Sequence, residues 1–256
     1  MTDLLGALAA GAVPAPAAVL PAAAVFARVS LLVFVLPGLG ARAVPVRVRL
    51  FAALAVTAAI LPAAAPDVAD AHPVPLLAGE AMVGAYLGLS LRLLLFVLAI
   101  SGTVIAQALS LSQVFGAAVA EEADTSVSTL LVLAGATLFV TMGLHVEAFG
   151  VLVRSYETLP AGDLAGAPAV MAERLLRGFA DGLALGLSLA LPFVLMNLAY
   201  NALLGLLNKA MPQLMVTFVG MPAITFAGLC LLTVTVAALL TVWADRGLAI
   251  SLGLLP

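Results

Sequence analysis

Long apolar runs separated by isolated charges set the pattern of this chain. The charge-poor stretches are 4–27, 29–41, 50–66, 81–91 continuing beyond Arg92 through 93–120, 125–144, 182–208 and 210–244. A membrane-spanning helix needs about 20 apolar residues, so the longer runs predict spans. Several runs do not fit one straight helix. The first contains Pro14, Pro16 and Pro21, and 29–41 is short and ends in Pro37-Gly38-Leu39-Gly40. The last run, 210–244, would be roughly 52 Å long as one helix, against a hydrocarbon core of about 30 Å. Pro212, Gly220 and Pro222 stand near its start. They predict a tight connection over 211–222 and a final helix over 223–244, which makes the C-terminal part a two-helix hairpin.

Polar residues inside these runs recur at helical spacing. Between Asp181 and Lys209 there is no charge, yet Asn197, Asn201, Gly205 and Lys209 fall every fourth residue. That spacing puts all four on one helix face. An unpartnered amide is costly in lipid, so the stripe is expected to face protein or a polar cavity. Glu80, Gly84, Gly88 and Arg92 form a second row, and Gly178, Gly182, Gly186 and Ala190 a third. Small residues at this spacing let helix backbones approach closely in membranes. Glu80 and Arg92 are too far apart to pair with each other, so each needs another partner. The longest polar interruption of an apolar region, 110–128, holds Gln113, Glu121, Glu122 and Asp124. A second hydrophilic segment, 154–177, reads as an exposed connection.

Composition turns this pattern into a class. Hydrophobic residues make up 64% and charged residues 9%, with a mean hydropathy of +1.26, where soluble domains carry about 25% charged residues. The expected fold is all-α, a polytopic membrane protein of broken helices and helical hairpins. The net charge of −3 includes no basic patch, which argues against a nucleic-acid partner. No Lys or Arg precedes Arg28, so a cleaved signal peptide is not expected. Arg42, Arg47 and Arg49 favour a cytoplasmic position for the connection that holds them. The single Cys230 excludes an internal disulfide.

Catalytic chemistry finds little footing. His145 and Glu147, two residues apart, point to nearly opposite sides of a helix and have no second Cys or nearby His to complete a metal site. No Ser stands in a Gly-x-Ser-x-Gly context. Gly38-Leu39-Gly40 lacks the rest of a dinucleotide fingerprint, and there is no phosphate loop. Neither a cofactor nor a metal is expected. Broken apolar helices with intramembrane polar residues also suit an ion-coupled small-solute transporter. Against that reading, no two-half internal repeat is evident, and Glu80 is the main acidic residue away from segment ends.

The ordered motifs resemble the FliR family of flagellar biosynthetic membrane proteins, from about Phe26 to Ala244. They are Phe26-Ala27-Arg28, Pro37-Gly38-Leu39-Gly40, Val44-Pro45-Val46-Arg47-Val48-Arg49, Gly79-Glu80-x-x-x-Gly84, and Gly102-x-x-x-x-Gln107-x-x-Ser110. Gly143-Leu144-His145, Ser155 through Pro160, and the segment from Asn201 to Pro222 complete the set. Three positions depart from the family pattern. Lys209 stands where Arg is more usual, Leu214 where Asn is common, and an Asp-Pro frequent in the 110–128 loop is missing. The injectisome counterpart of the family is a near neighbour.

The resemblance implies a non-enzymatic subunit of a type III export gate in the bacterial inner membrane, at the flagellar basal body. FliP and FliQ would be its assembly partners, FlhB and FlhA its neighbours, and unfolded flagellar proteins its cargo. Residues 1–177 would form a part resembling FliP, and 178–256 a hairpin resembling FliQ, within one integrated membrane domain surrounded by lipid. The loop 111–125 would plug the closed pore. Phe115 would be its stopper, Gly116 its source of backbone freedom and Gln113 a further member. Asn197, Asn201, Asn208, Lys209 and Gln213 are candidate subunit contacts. Met211, Met215 and Met221 are a candidate constriction, with flexible thioethers suited to an adaptable seal. Arg28, Arg47 and Glu80 are expected to be structural charges.

Overall fold

In the computed structural model the described residues are 16–40, 44–64, 68, 71–110, 120–162, 167–210 and 216–255. Side chains are described for all of these except 16–18, 120–125 and 216–221. Among the described residues there are seven α-helices and no strand: α1 (Pro16–Val35), α2 (Val46–Ala64), α3 (Pro73–Ala108), α4 (Ala120–Thr141), α5 (Leu144–Thr158), α6 (Ala167–Ala210) and α7 (Val216–Leu254). The protein is an all-α polytopic membrane protein. Among the described residues four helical stretches are long and apolar enough to cross a bilayer: Val46–Ala64, Pro73–Ala108, Ala167–Ala210 and Pro222–Leu254. Ser126–Thr141 and Leu144–Thr158, bent by 67° at the break between them, make a fifth if they form one broken span.

Local chemistry explains the helix ends. Pro16 opens α1 and Pro73 opens α3, at the first helical position, where the missing N–H would be unsatisfied in any case. Helix α1 stops at Val35, two residues before Pro37, because the residue preceding a proline is pushed out of the helical region. Gly38 then adopts a φ of 86°, a left-handed turn open to glycine. Gly143, at φ 75°, makes the sharp break between α4 and α5.

Five sequence expectations change. Arg28 does not separate two segments, because α1 runs straight through it. Pro21 lies near the start of α1 and costs one ladder bond there. The connection expected over 211–222 is shorter, since α7 begins at Val216 and carries Pro222 near its start. That helix also passes Ala244 and ends at Leu254. Asp245 and Arg246 are exposed, so extending the helix through them buries no charge. The loop expected over 111–125 gives way to helix from Ala120. The stretch 154–177 is largely helical, belonging to α5 and α6, although Arg154, Glu157, Glu173 and Arg177 are exposed as expected.

The chain forms two compact units. One comprises Met1–Arg92, Phe139–Gly178 and Leu252–Pro256; the other comprises Leu93–Leu138 and Phe179–Ser251. In the first unit α1 and α3 run parallel in close contact. A Cβ on Gly84 would fall 2.0 Å from the Arg28 carbonyl oxygen, and one on Gly88 would fall 2.9 Å from Val35 Cβ. The Glu80–Gly84–Gly88–Arg92 row is therefore a packing face. Its last member donates from Nη1 to the Val35 carbonyl at 3.4 Å. Helix α2 lies against α1 through one stripe, Ala53, Thr57 and Ile60, and most of its remaining surface is exposed.

In the second unit α3 touches three other helices. Gly102 meets the Ser128 backbone and Leu98 meets Gly135, so α4 runs antiparallel to it. Gly182 and Gly186 meet Val97, and Gly247 meets Leu94. Further along, Leu109 and Met196 both reach Gly228. Helices α6 and α7 therefore lie antiparallel as a hairpin, with α6 parallel to α3. Three hydrogen bonds tie the packing. Trp243 Nε1 donates to the Leu94 carbonyl at 2.7 Å, Ser101 Oγ to the Gly186 carbonyl at 3.0 Å, and Thr225 Oγ1 to the Leu109 carbonyl at 2.8 Å. The last satisfies a carbonyl beyond the end of α3, which the helix itself cannot pair.

Candidate functional site

Two polar features stand out among the described residues, one buried and one exposed. The buried one is centred on Arg28, with no exposed surface. Its Nε lies 2.6 Å from Glu80 Oε2 and its Nη2 lies 3.1 Å from Oε1, a forked pair across α1 and α3. Nη1 donates to Ser155 Oγ at 3.0 Å, and Nη2 donates again to the Leu159 carbonyl at 2.9 Å. The guanidinium carbon sits 3.8 Å from the centroid of the Tyr156 ring. Ser155 Oγ in turn donates to the Leu152 carbonyl at 2.6 Å.

This geometry satisfies the demand that a buried charge be paired and its remaining donors filled. Four of the five guanidinium N–H groups are used. The site binds helices α1, α3 and the end of α5 together, and both charged partners are consumed in doing so. Arg28 and Glu80 are thus brought together by the fold. Arg47 is not part of the arrangement; it is exposed in the first turn of α2 and belongs to neither ion pair found among the described residues. Ser155, Tyr156 and Leu159 escaped the sequence reading as partners of Arg28. The only hint was a Ser-Tyr pair at the edge of an apolar run, since nothing local reveals a contact 127 residues away.

The exposed feature is the amide stripe of α6. Asn197 is half-buried, while Asn201, Gly205, Asn208 and Lys209 are exposed. Asn201 Nδ2 donates to Asn197 Oδ1 at 2.7 Å and to the Asn197 carbonyl at 3.0 Å, within the one helix. A Cβ on Gly205 would meet nothing within 4 Å. Large apolar side chains surround the stripe, including Leu198 at 65% and Leu206 at 68% exposure. Gln113, Phe115, Gly116, Met211, Gln213 and Met215 lie outside the described residues. Met221 lies in α7, outside the described side chains.

His145 and Glu147 do not form a site. Glu147 is exposed, and His145 is half-buried beside the α4–α5 break. Among the described residues no three His, Cys, Asp or Glu side chains gather into a group able to hold a metal ion.

A helical membrane protein with a charge-paired core and an apolar hairpin exposed along its outer face is the class these features define. The sequence matches the family of bacterial export proteins, family 1, over residues 19–248. It is 31% identical to the flagellar biosynthetic protein FliR of Caulobacter vibrioides over 238 residues, covering 88% of this chain and 92% of that protein. It is also 31% identical to FliR of Escherichia coli K12 over 201 residues, 76% of each chain. Identity to FliR of Aquifex aeolicus is 28% over 206 residues, 76% of this chain and 77% of that protein. The chain belongs to the FliR family of bacterial export proteins.

Proposed function

We propose that this chain is a structural, pore-forming subunit of the flagellar type III export gate. It assembles with FliP and FliQ, has FlhB and FlhA as neighbours, and passes unfolded flagellar proteins across the bacterial inner membrane at the basal body. It catalyses nothing itself, and the energy for export comes from elsewhere in the apparatus. Residues 1–177 serve as the part resembling FliP and 178–256 as the hairpin resembling FliQ.

One observation carries the reading beyond family membership. On α6 exposed apolar side chains run with no intervening charge from Leu183 to Leu207, roughly 36 Å at about 1.5 Å per residue. The hydrocarbon core is about 30 Å thick. At a tilt of about 35° this stretch spans about 30 Å along the membrane normal, so lipid can match its length. What lipid cannot serve is the amide stripe set in it, so a protein partner is the cover that fits. Asn197 and Asn201 lie within that surface and Asn208 and Lys209 at its end, where amides and a cation can meet polar groups of a partner. An ion-coupled carrier fits less well, because Glu80, the carboxylate best placed for a coupling ion, is already held by Arg28.

The loop around Phe115 completes the proposal as a plug, a bulky ring excluding water and ions from a narrow passage. Co-expression with the FliP and FliQ proteins of the same genome, followed by native mass spectrometry of the purified complex, tests the assembly. A defined hetero-oligomer containing this chain is expected. A clean monomer or homodimer, with both partners shown to be expressed, would overturn the reading and favour a carrier.

A further inference from the structure

The Arg28 site has a consequence for how the chain enters the membrane. Helix α1 is made before the other described helices, yet much of it ends up enclosed: Ala24, Val25, Val29, Leu32 and Val33 have no exposed surface. Every group that neutralises or hydrogen-bonds Arg28 is made later. Glu80 follows 52 residues behind, and Ser155 and Leu159 follow 127 and 131 residues behind. At roughly 5–20 residues per second, Glu80 emerges about 3–10 s after Arg28. During that interval α1 carries an unpaired guanidinium near its middle. An arginine at the centre of a helix weighs against insertion on the order of a hundredfold.

We propose that Arg28 holds α1 out of the hydrocarbon layer until α3 delivers Glu80, so that the two helices enter as one charge-neutral pair. The pair is then a timing device for insertion as well as a structural bridge. The close approach at Gly84 and Gly88 allows such joint entry, because α1 and α3 already share a backbone-to-backbone face there.

The roles of the two charges are unequal, and this makes the proposal testable. The full chain is produced in cells with Cys230→Ser, which removes the native thiol at an exposed position. Leu31→Cys, at 37% exposure and three residues beyond Arg28 in α1, supplies a reporter. Labelling by a membrane-impermeant maleimide in intact membrane vesicles of both orientations shows whether α1 lies in water. The otherwise unsubstituted chain is expected to be protected, and Glu80→Gln to be labelled in most molecules. Arg28→Leu is expected to be protected, because α1 then carries no charge and needs no partner to enter. Arg28→Leu combined with Glu80→Leu, and the reversal Arg28→Glu with Glu80→Arg, are both expected to be protected. A purely structural pair would expose the reporter alike in the two single variants. Protection of Glu80→Gln, or labelling of either Arg28→Leu or the Leu/Leu double variant, overturns the proposal.

Discussion

Gly84→Ala probes the backbone-to-backbone approach of α1 and α3. The added Cβ would lie 2.0 Å from the Arg28 carbonyl oxygen and 2.8 Å from its carbonyl carbon, where ordinary contact begins at 3.4 Å. Relief requires α1 and α3 to part by about 1.4 Å, the difference between 3.4 and 2.0 Å. The atoms in the way are backbone, so no rotamer change avoids the clash. Alanine is favoured over glycine in a helix interior by about 1 kcal/mol. Against that gain stand about 1–3 kcal/mol for overpacking and a weakened pair, whose complete loss costs about 3–5 kcal/mol. A net destabilisation of about 2 kcal/mol or more is expected, lowering the unfolding midpoint by roughly 4–8 °C for a chain of this size. The assay is thermal unfolding of the purified full chain in detergent, with Gly205→Ala as the control. A Cβ added at Gly205 has nothing within 4 Å, so that variant keeps the propensity gain without a clash and should match or exceed the parent. An unfolding midpoint for Gly84→Ala equal to that of Gly205→Ala would refute the reasoning.

Three further outcomes follow from particular contacts. Trp243 is the only tryptophan of the chain and is 1% exposed, so its emission should be blue-shifted and resist iodide quenching. Trp243→Phe should cost about 1 kcal/mol for the lost hydrogen bond to the Leu94 carbonyl, read from the shift of a denaturation curve monitored by circular dichroism. Asn201→Leu should leave the isolated chain as stable as before, because Asn201 is exposed and bonds only within α6. It should lower the yield of complex with FliP and FliQ, and an unchanged yield would remove Asn201 from the contact surface. Deleting residues 111–119 should raise membrane conductance in cells while secretion survives, and an unchanged conductance would exclude the plug.

The class of the protein and much of its local architecture were legible before folding was considered. Helices in lipid satisfy their own backbone groups, so run length and charge spacing report spans directly. The Glu80–Gly84–Gly88–Arg92 row was readable as a packing face for the same reason, since a four-residue repeat stays on one side of a helix. Helix ends were less legible. Pro21 and Pro222 suggested breaks, yet both lie close enough to a helix start to be tolerated. Charge served poorly as a boundary marker, because Asp245 and Arg246 sit exposed within α7 and Arg28 sits buried within α1.

Sequence alone determined that the chain is an all-helical membrane protein of the FliR family, with small-residue faces ready for close packing and an amide stripe on one long apolar helix. Tertiary structure decided which charges meet. Periodicity carries information over one helix and ends there, whereas Arg28 finds Glu80 across 52 residues and Ser155 across 127. Those partners are selected by the direction in which helices cross, which depends on how closely Gly84 and Gly88 let α1 approach α3. The same packing left one face of α6 from Leu183 to Leu207, with its amide stripe, uncovered within the chain. No local pattern could show that, because exposure is a property of what the remaining helices fail to reach.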